Sequence, residues 1–190
     1  MIIHPNKLTV TRIIAVPLIV VCFLLNFPMA NWVCWAIFTI AGITDFLDGY
    51  LARKYHLESK LGAFLDPVAD KMLVVLSLVL LVSSQQHMNA MLSPILFILA
   101  VIIIVGREVF VSALREWMAE QGKRDNVSVS KIGKFKTTAQ MFAIGGMFLR
   151  DDVFGLPILQ MSEVLFYIAA MLTLWSMAIY LRAAWSDLVS

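Results

Sequence analysis

Four aspartates lie close together in the chain, at spacings that bring their side chains onto two helix faces. Asp45 and Asp48 are three residues apart, and Asp66 and Asp70 are four apart. At about 100° per residue, residues at these spacings share one side of a helix. Clustered carboxylate oxygens without neighbouring His or Cys favour Mg²⁺ or Mn²⁺ over zinc. We therefore expect these four aspartates to bind a divalent metal, with enough ligands for two ions.

Helix capping offers a structural explanation for half of this cluster. Asp66 precedes Pro67, so it could cap a helix with proline in its first turn, and Asp70 would suit the same N-terminus. Capping does not explain Asp45 and Asp48, because they lie towards the C-terminal end of an apolar segment, where the helix dipole disfavours negative charge. An ionised aspartate within an apolar span costs roughly 2.5–3.5 kcal/mol on insertion scales, so a compensating cation is expected.

The aspartates belong to a longer pattern, D-x2-D-G-x2-A-R-x8-G-x3-D-x3-D, within residues 45–70. Its fixed positions are Asp45, Asp48, Gly49, Ala52, Arg53, Gly62, Asp66 and Asp70. This pattern resembles the signature of the CDP-alcohol phosphatidyltransferase family, and every defining position matches. The resemblance to family members extends over nearly the whole chain, through segments such as 62–71 and 115–120.

The resemblance implies an enzyme that moves the phosphatidyl group of CDP-diacylglycerol onto a small alcohol and releases CMP. It implies that Asp45, Asp48 and Asp66 bind metal, and that Asp70 completes the site and acts as general base. Similarity along the whole chain points to sn-glycerol 3-phosphate as the acceptor, giving phosphatidylglycerol phosphate for phospholipid biosynthesis. It also implies a homodimer in the bacterial cytoplasmic membrane.

A second set of residues is expected around the CDP group. By resemblance the pocket is lined by the signature positions Gly49, Ala52, Arg53 and Gly62, although Arg53 could instead anchor the helix at the interface. Asn6, Thr9 and Arg12 recur at three-residue spacing on the first apolar segment, so they share an arc that could face the diphosphate. They could equally be a helix start followed by a snorkelling arginine.

Basic residues in the second half of the chain could bind an anionic acceptor. They are Arg107, Arg115, Lys131, Lys134 and Lys136. Arg107, Val111 and Arg115 are four apart on one helical face. The other explanation is charge that contacts lipid headgroups. A basic pocket suits glycerol 3-phosphate better than a neutral alcohol, and the same chemistry on inositol phosphate, serine or phosphatidylglycerol is the alternative.

Composition places these residues in a membrane protein. The chain has 190 residues, is 61% hydrophobic and has a mean hydropathy of +0.85, whereas soluble domains are roughly half apolar. Six apolar stretches approach the ~20 residues that cross a hydrocarbon core. They cover residues 8–27, 32–52, 62–83, 90–119, 135–149 and 158–181. We predict an all-α, single-domain bundle of six transmembrane helices over residues 1–190.

The distribution of charge predicts the orientation of this bundle. Of 15 Lys and Arg residues, only Arg150 falls in a connection that an N-inside, six-span topology places outside. By the positive-inside rule both termini and the active site face the cytoplasm. CDP-diacylglycerol, glycerol 3-phosphate and membrane lipids are the expected partners, and no nucleic acid is expected.

The remaining polar and aromatic residues are given structural roles. Cys22 and Cys34 lie in apolar stretches and are interpreted as packing residues, while tryptophans and Tyr180 near the span ends resemble interfacial belts. A divalent-cation carrier is the alternative function, because intramembrane aspartates also serve transport. Carrier sites lie near the membrane midplane in repeated halves, however, and this sequence shows no repeat.

Overall fold

The computed structural model describes the backbone of residues 5–55, 60–121 and 131–189, and within them the side chains of residues 11–44, 65, 68–121, 136–182 and 185. This part of the chain contains seven helices and no strand. They are α1 (Pro5–Leu25), α2 (Ala30–Tyr55), α3 (Lys60–Ser83), α4 (Gln85–Ala90), α5 (Pro94–Glu120), α6 (Lys131–Phe148) and α7 (Ile158–Val189). The predicted all-α class is confirmed.

Each predicted apolar stretch falls on one of the long helices, and the differences are at the ends. The short helix α4 occupies the predicted connection after α3, and α7 continues past residue 181. The fourth stretch is predicted to begin at residue 90, whereas α5 begins at Pro94 because Ser93 caps it. The Ser93 hydroxyl accepts a hydrogen bond from the backbone N–H of Leu96 at 3.5 Å. Hydropathy does not register such a cap.

The helices divide into two compact units. The first comprises the described residues within Met1–Ala90 and Ile144–Leu159. Here α1 packs against both α2 and α3. Its packed side includes Ala15 and Ile19, which are buried, while Ile14 and Leu18 on the other side are exposed. One side of α1 therefore holds the two helices that carry the aspartates.

Aromatic packing closes the core of the first unit. The rings of Phe38 on α2 and Phe148 at the end of α6 have centroids 5.7 Å apart. Gly145 lies against the same phenylalanine, since a Cβ atom there would stand 3.5 Å from the Phe38 ring. The lack of a side chain at this position lets α6 approach α2 closely.

The second unit comprises the described residues within Met91–Ala143 and Gln160–Ser190, that is α5, most of α6 and most of α7. Its core towards the end of α5 is a cluster of buried side chains surrounded by Trp117 and Met177. The cluster consists of Val111, Leu114, Met118 and Tyr180. Tyr180 was assigned to an interfacial belt by position, and that prediction is wrong because packing of α7 on α5 buries its ring.

Much of the apolar surface is exposed. Within the described residues, two helical segments are long and apolar enough to cross a membrane, Pro94–Glu120 and Ile158–Arg182, and only 28% and 33% of their most apolar windows are buried. Thr11–Leu25 and Ala30–Thr44 are shorter apolar helices. Soluble proteins rarely expose continuous apolar surface of this kind. The two long helices support membrane association, whereas the number of crossings stays a prediction.

Candidate active site

The four aspartates lie on two consecutive helices that both pack against α1. Asp45 and Asp48 are in the C-terminal half of α2, and Asp66 and Asp70 are in the N-terminal half of α3. The backbone thus places two aspartates late in α2 and two in the first half of α3, and both helices contact α1. The side chains of Asp45, Asp48 and Asp66 lie outside the described residues, so their convergence stays a prediction.

The start of α3 tests the capping explanation for Asp66 and Asp70. The helix begins at Lys60, six residues before Asp66 and ten before Asp70. An N-cap lies immediately before the first helical residue, and the dipole effect fades within the first turn. Neither aspartate is therefore an N-cap of α3, and Pro67 is not in its first turn. Capping of α3 therefore does not explain either aspartate, and metal binding by them stays a prediction.

Asp70 forms an ion pair with Arg12. The Nη1 of Arg12 on α1 donates to the Oδ1 of Asp70 on α3, across 58 positions of sequence. Arg12 is fully buried, whereas the Asp70 side chain is 46% exposed. Because the pair joins charged groups, Asp70 enters it as the carboxylate, which is the form that binds a metal ion or accepts a proton. Its exposed part is accessible to a ligand.

The environment of Arg12 corrects one alternative from the sequence. A snorkelling arginine extends its guanidinium out of the protein to the interface, but Arg12 is 0% exposed and reaches across to α3. An arginine within an apolar helix needs an opposite charge, and Asp70 provides it. The sequence signal was the isolated charge of Arg12, although nothing in the sequence identified its partner.

The predicted CDP-binding residues are on the same three helices. Asn6 and Thr9 are on α1, Gly49, Ala52 and Arg53 are on α2, and Gly62 is on α3. All six side-chain positions lie outside the described residues. The structure therefore brings their helices together, and their contacts with CDP stay a prediction.

The residues of the predicted metal site are of the type that binds a divalent cation. Four carboxylates provide the oxygen ligands that hard divalent cations prefer, and Asp70 is ionised, partly exposed and already beside a positive charge. No group of three or more His, Cys, Asp or Glu side chains lies together among those that the structure describes, which include only Asp70 of the four.

The second unit contains a buried cluster of basic residues. Arg107 and Arg115 come from α5, and Lys136 comes from α6. Arg107 is buried beside Val111, so the predicted common face of α5 is confirmed for these two residues. Lys136 is only 1% exposed. A cation that contacts lipid headgroups would lie at the surface, so the lipid explanation does not fit Lys136. The side chains of Lys131 and Lys134 lie outside the described residues.

The charges of this cluster are only partly compensated. Arg107 donates to the Oε1 of Glu108 at 2.6 Å, and the Lys136 ammonium interacts electrostatically with Arg107, Glu108 and Arg115. Among the described residues, Glu108 is the one carboxylate in this set of interactions. Buried donors of all three have no hydrogen-bond partner among the described residues: Nζ of Lys136 and Nε of Arg107 and of Arg115. Buried polar atoms are normally paired, so such a set indicates an anionic ligand.

Arg115 is also held from one side by Tyr180. Its Nη2 donates to the tyrosine hydroxyl at 3.4 Å, and its guanidinium carbon lies 5.5 Å from the centre of the ring. This contact joins α5 to α7. Sequence reasoning missed it, because the two residues are 65 positions apart and neither belongs to a motif.

These features describe a class of protein: helical throughout its described residues, with extensive apolar surface, four aspartates on two consecutive helices and a set of basic side chains with unpartnered donors. The sequence profile of the CDP-alcohol phosphatidyltransferase family matches residues 2–175, which include α1 to α6 and most of α7. The chain belongs to this family. Members of the family generally depend on a divalent metal.

Curated relatives are similar over almost their full length. The relative from Haemophilus influenzae is 46% identical over 97% of this chain and 95% of its own. Those from Yersinia enterocolitica and Salmonella choleraesuis are 48% and 47% identical, over 97% of this chain and 96% of theirs. All three are named CDP-diacylglycerol–glycerol-3-phosphate 3-phosphatidyltransferase.

Proposed function

We propose that this protein transfers the phosphatidyl group from CDP-diacylglycerol to sn-glycerol 3-phosphate, producing phosphatidylglycerol phosphate and CMP in phospholipid biosynthesis. The observation that carries this proposal is the 46–48% identity, over 97% of the chain, to relatives named for that reaction. The complete signature in residues 45–70 and the buried basic cluster agree with the two substrates that the reaction requires.

In this proposal Asp45, Asp48, Asp66 and Asp70 hold Mg²⁺ or Mn²⁺, as two ions. Their support is the carboxylate donor set on adjoining helices and the ionised, partly exposed Asp70. When bound, the cations neutralise charge on the diphosphate and favour displacement at its lipid-bearing phosphorus. The protein contributes rigid helices that keep the ligands in place.

Asp70 acts as the general base. Its carboxylate accepts the proton of the attacking acceptor hydroxyl, which forms a bond to the lipid-bearing phosphorus while the bond to CMP breaks. The buried guanidinium of Arg12 keeps the carboxylate in one orientation. Gly49, Ala52 and Gly62 allow CDP to approach the backbone, while Arg53, Asn6 and Thr9 bind it.

The acceptor phosphate binds Arg107, Arg115 and Lys136, assisted by Lys131 and Lys134. The unpartnered buried donors support this assignment, since a phosphate monoester accepts several charge-assisted hydrogen bonds. Among the described residues the cations of this set outnumber the carboxylates, as expected for a site that binds a phosphate monoester, whose charge is nearly −2 near neutral pH. A neutral alcohol would leave those charges buried and uncompensated.

The enzyme spans the bacterial cytoplasmic membrane six times as one domain and works as a homodimer. The helices α1, α2, α3, α5, α6 and α7 are the proposed spans, with both termini and the active site on the cytoplasmic side. Their apolar exposed surfaces and the one-sided distribution of Lys and Arg support this arrangement.

An acceptor panel tests the function. Purified protein with CDP-diacylglycerol and Mg²⁺ is expected to release CMP rapidly with glycerol 3-phosphate, and much more slowly with glycerol, serine or inositol. Equal rates with a neutral alcohol would overturn the acceptor assignment. Metal flux into sealed vesicles without any CMP release would support the cation carrier instead.

A further inference from the structure

The contact between Arg115 and Tyr180 has a geometry that leaves the arginine able to bind a ligand. The guanidinium carbon of Arg115 lies over the ring of Tyr180, 5.5 Å from its centroid. A cation over an aromatic ring is attracted by the ring itself, so this contact does not consume the N–H groups of the guanidinium. The Nε–H of Arg115 is buried and has no hydrogen-bond partner among the described residues. Tyr180 therefore fixes the group without using its remaining donors.

Tyr180 is itself held in place. It is 5% exposed and packs with Val111, Leu114 and Met118 in the core of the second unit. A ring locked by packing restricts the rotamers of the arginine that stacks on it. Preorganisation of this kind improves binding, because less freedom is lost when the ligand arrives.

We propose that Tyr180 is a positioning residue for the acceptor phosphate: its ring holds the guanidinium of Arg115 in the orientation that binds glycerol 3-phosphate. This inference rests on the proposed function, in which Arg115 contacts the phosphate. The ring is the important part, since the hydroxyl accepts only a long hydrogen bond of 3.4 Å.

The test compares Tyr180→Leu with Tyr180→Phe in the full-length enzyme. CMP release is measured against glycerol 3-phosphate with CDP-diacylglycerol saturating. Tyr180→Leu removes the stacked ring and is expected to raise the KM for glycerol 3-phosphate about tenfold, with kcat and the KM for CDP-diacylglycerol within about twofold. Tyr180→Phe keeps the ring and is expected to stay within about twofold of the original KM. Should the leucine variant not fold, Tyr180→Met provides the same comparison.

Tyr167→Leu is the matched control. It makes the same change on the same helix, where the Tyr167 hydroxyl donates to Glu163, whereas the Tyr180 hydroxyl accepts from Arg115. This variant is expected to lower Tm and to leave the KM for glycerol 3-phosphate unchanged. If Tyr180→Leu behaves in the same way, Tyr180 is a structural residue and the inference is wrong.

Arg115→Gln separates this inference from the proposed function. If Arg115→Gln leaves the KM for glycerol 3-phosphate unchanged, the acceptor site itself has been misassigned. If Arg115→Gln raises that KM while Tyr180→Leu does not, the acceptor site stands and only the role of Tyr180 fails.

Discussion

The two ends of the helix pair α5 and α7 differ in how completely their charged groups are hydrogen-bonded. At the start of α5, the fully buried Glu163 accepts hydrogen bonds from the backbone N–H groups of Leu92, at 2.7 Å, and Ser93, at 3.2 Å. Tyr167 donates to the same carboxylate and also to the Ser93 carbonyl. A buried carboxylate that accepts several hydrogen bonds is compensated, and here it also fixes the two residues that precede α5.

Further along α5 the basic side chains are hydrogen-bonded only in part. Arg107, Arg115 and Lys136 each have a buried nitrogen with no hydrogen bond among the described residues. Packing by itself does not explain the contrast, since α5 and α7 also pack together here through Leu114 and Tyr180. Folding favours paired polar groups, whereas binding requires donors that stay available. The end that contains Glu163, the paired end, therefore stabilises the protein. The end that contains Arg107, Arg115 and Lys136, the unpaired end, is the proposed ligand site.

The ion pair of Arg12 and Asp70 in the first unit differs from both ends of α5. Its two charges are paired, and Asp70 is nevertheless proposed to be catalytic. Asp70→Asn is expected to reduce kcat by about 10²–10⁴-fold, since the amide cannot accept the acceptor's proton. CMP release and Mn²⁺ binding would be measured together, with binding retained. Asp48→Asn, by comparison, is expected to weaken Mn²⁺ binding first. Full activity in both variants would contradict the proposed roles.

Lys136→Met tests most directly whether the unpaired end binds the acceptor phosphate. The KM for glycerol 3-phosphate is expected to rise roughly 10²-fold, because a hydrogen bond to a charged group contributes about 1.5–3 kcal/mol and the charge is lost as well. Tm is expected not to fall, since a buried ammonium without a hydrogen-bond partner is removed. Gln140→Met, also buried and one turn further along α6, serves as control with an unchanged KM. A lower Tm with normal KM for Lys136→Met would make the lysine structural.

Glu163→Ala tests the paired end. It is expected to lower the free energy of unfolding by about 3 kcal/mol, because two backbone N–H groups lose their acceptor. The KM for glycerol 3-phosphate should change by less than about twofold. Thermal unfolding and kinetics on the same preparation would check both. An increased KM with an unchanged Tm would contradict the contrast between the ends.

His87 on α4, in the first unit, is a buried group that can gain a charge, so it makes stability depend on pH. Burial, together with the positive charge of Arg150, lowers the pKa of His87 from 6.5 to about 4. The folded protein therefore favours the neutral ring, and stability is lost as pH falls from about 6.5 towards 4. We expect a loss of about 3 kcal/mol over that interval. Tm measured against pH should fall less steeply in His87→Gln, and parallel curves would contradict the assignment.

Features set by local spacing could be predicted from the sequence. The positions of α1, α2 and α3 follow from runs of apolar residues, and the signature in residues 45–70 follows from identities that are close together in the chain. Helix periodicity also predicted that Arg107 and Val111 share a face. These inferences needed only the geometry of one helix at a time.

Contacts between distant residues were decided by the tertiary structure alone. From the sequence Arg12 could either face the diphosphate or snorkel, and only the packing of α1 on α3 pairs it with Asp70. Glu163 and Tyr180 likewise gain their contacts with α5 across 65 or more residues of chain. Periodicity says which side of a helix is apolar but not which helix it meets. The choice of partner depends on the packing of whole side-chain surfaces. That choice distinguishes the structural carboxylate of Glu163 from the carboxylate of Asp70, which is proposed to be catalytic.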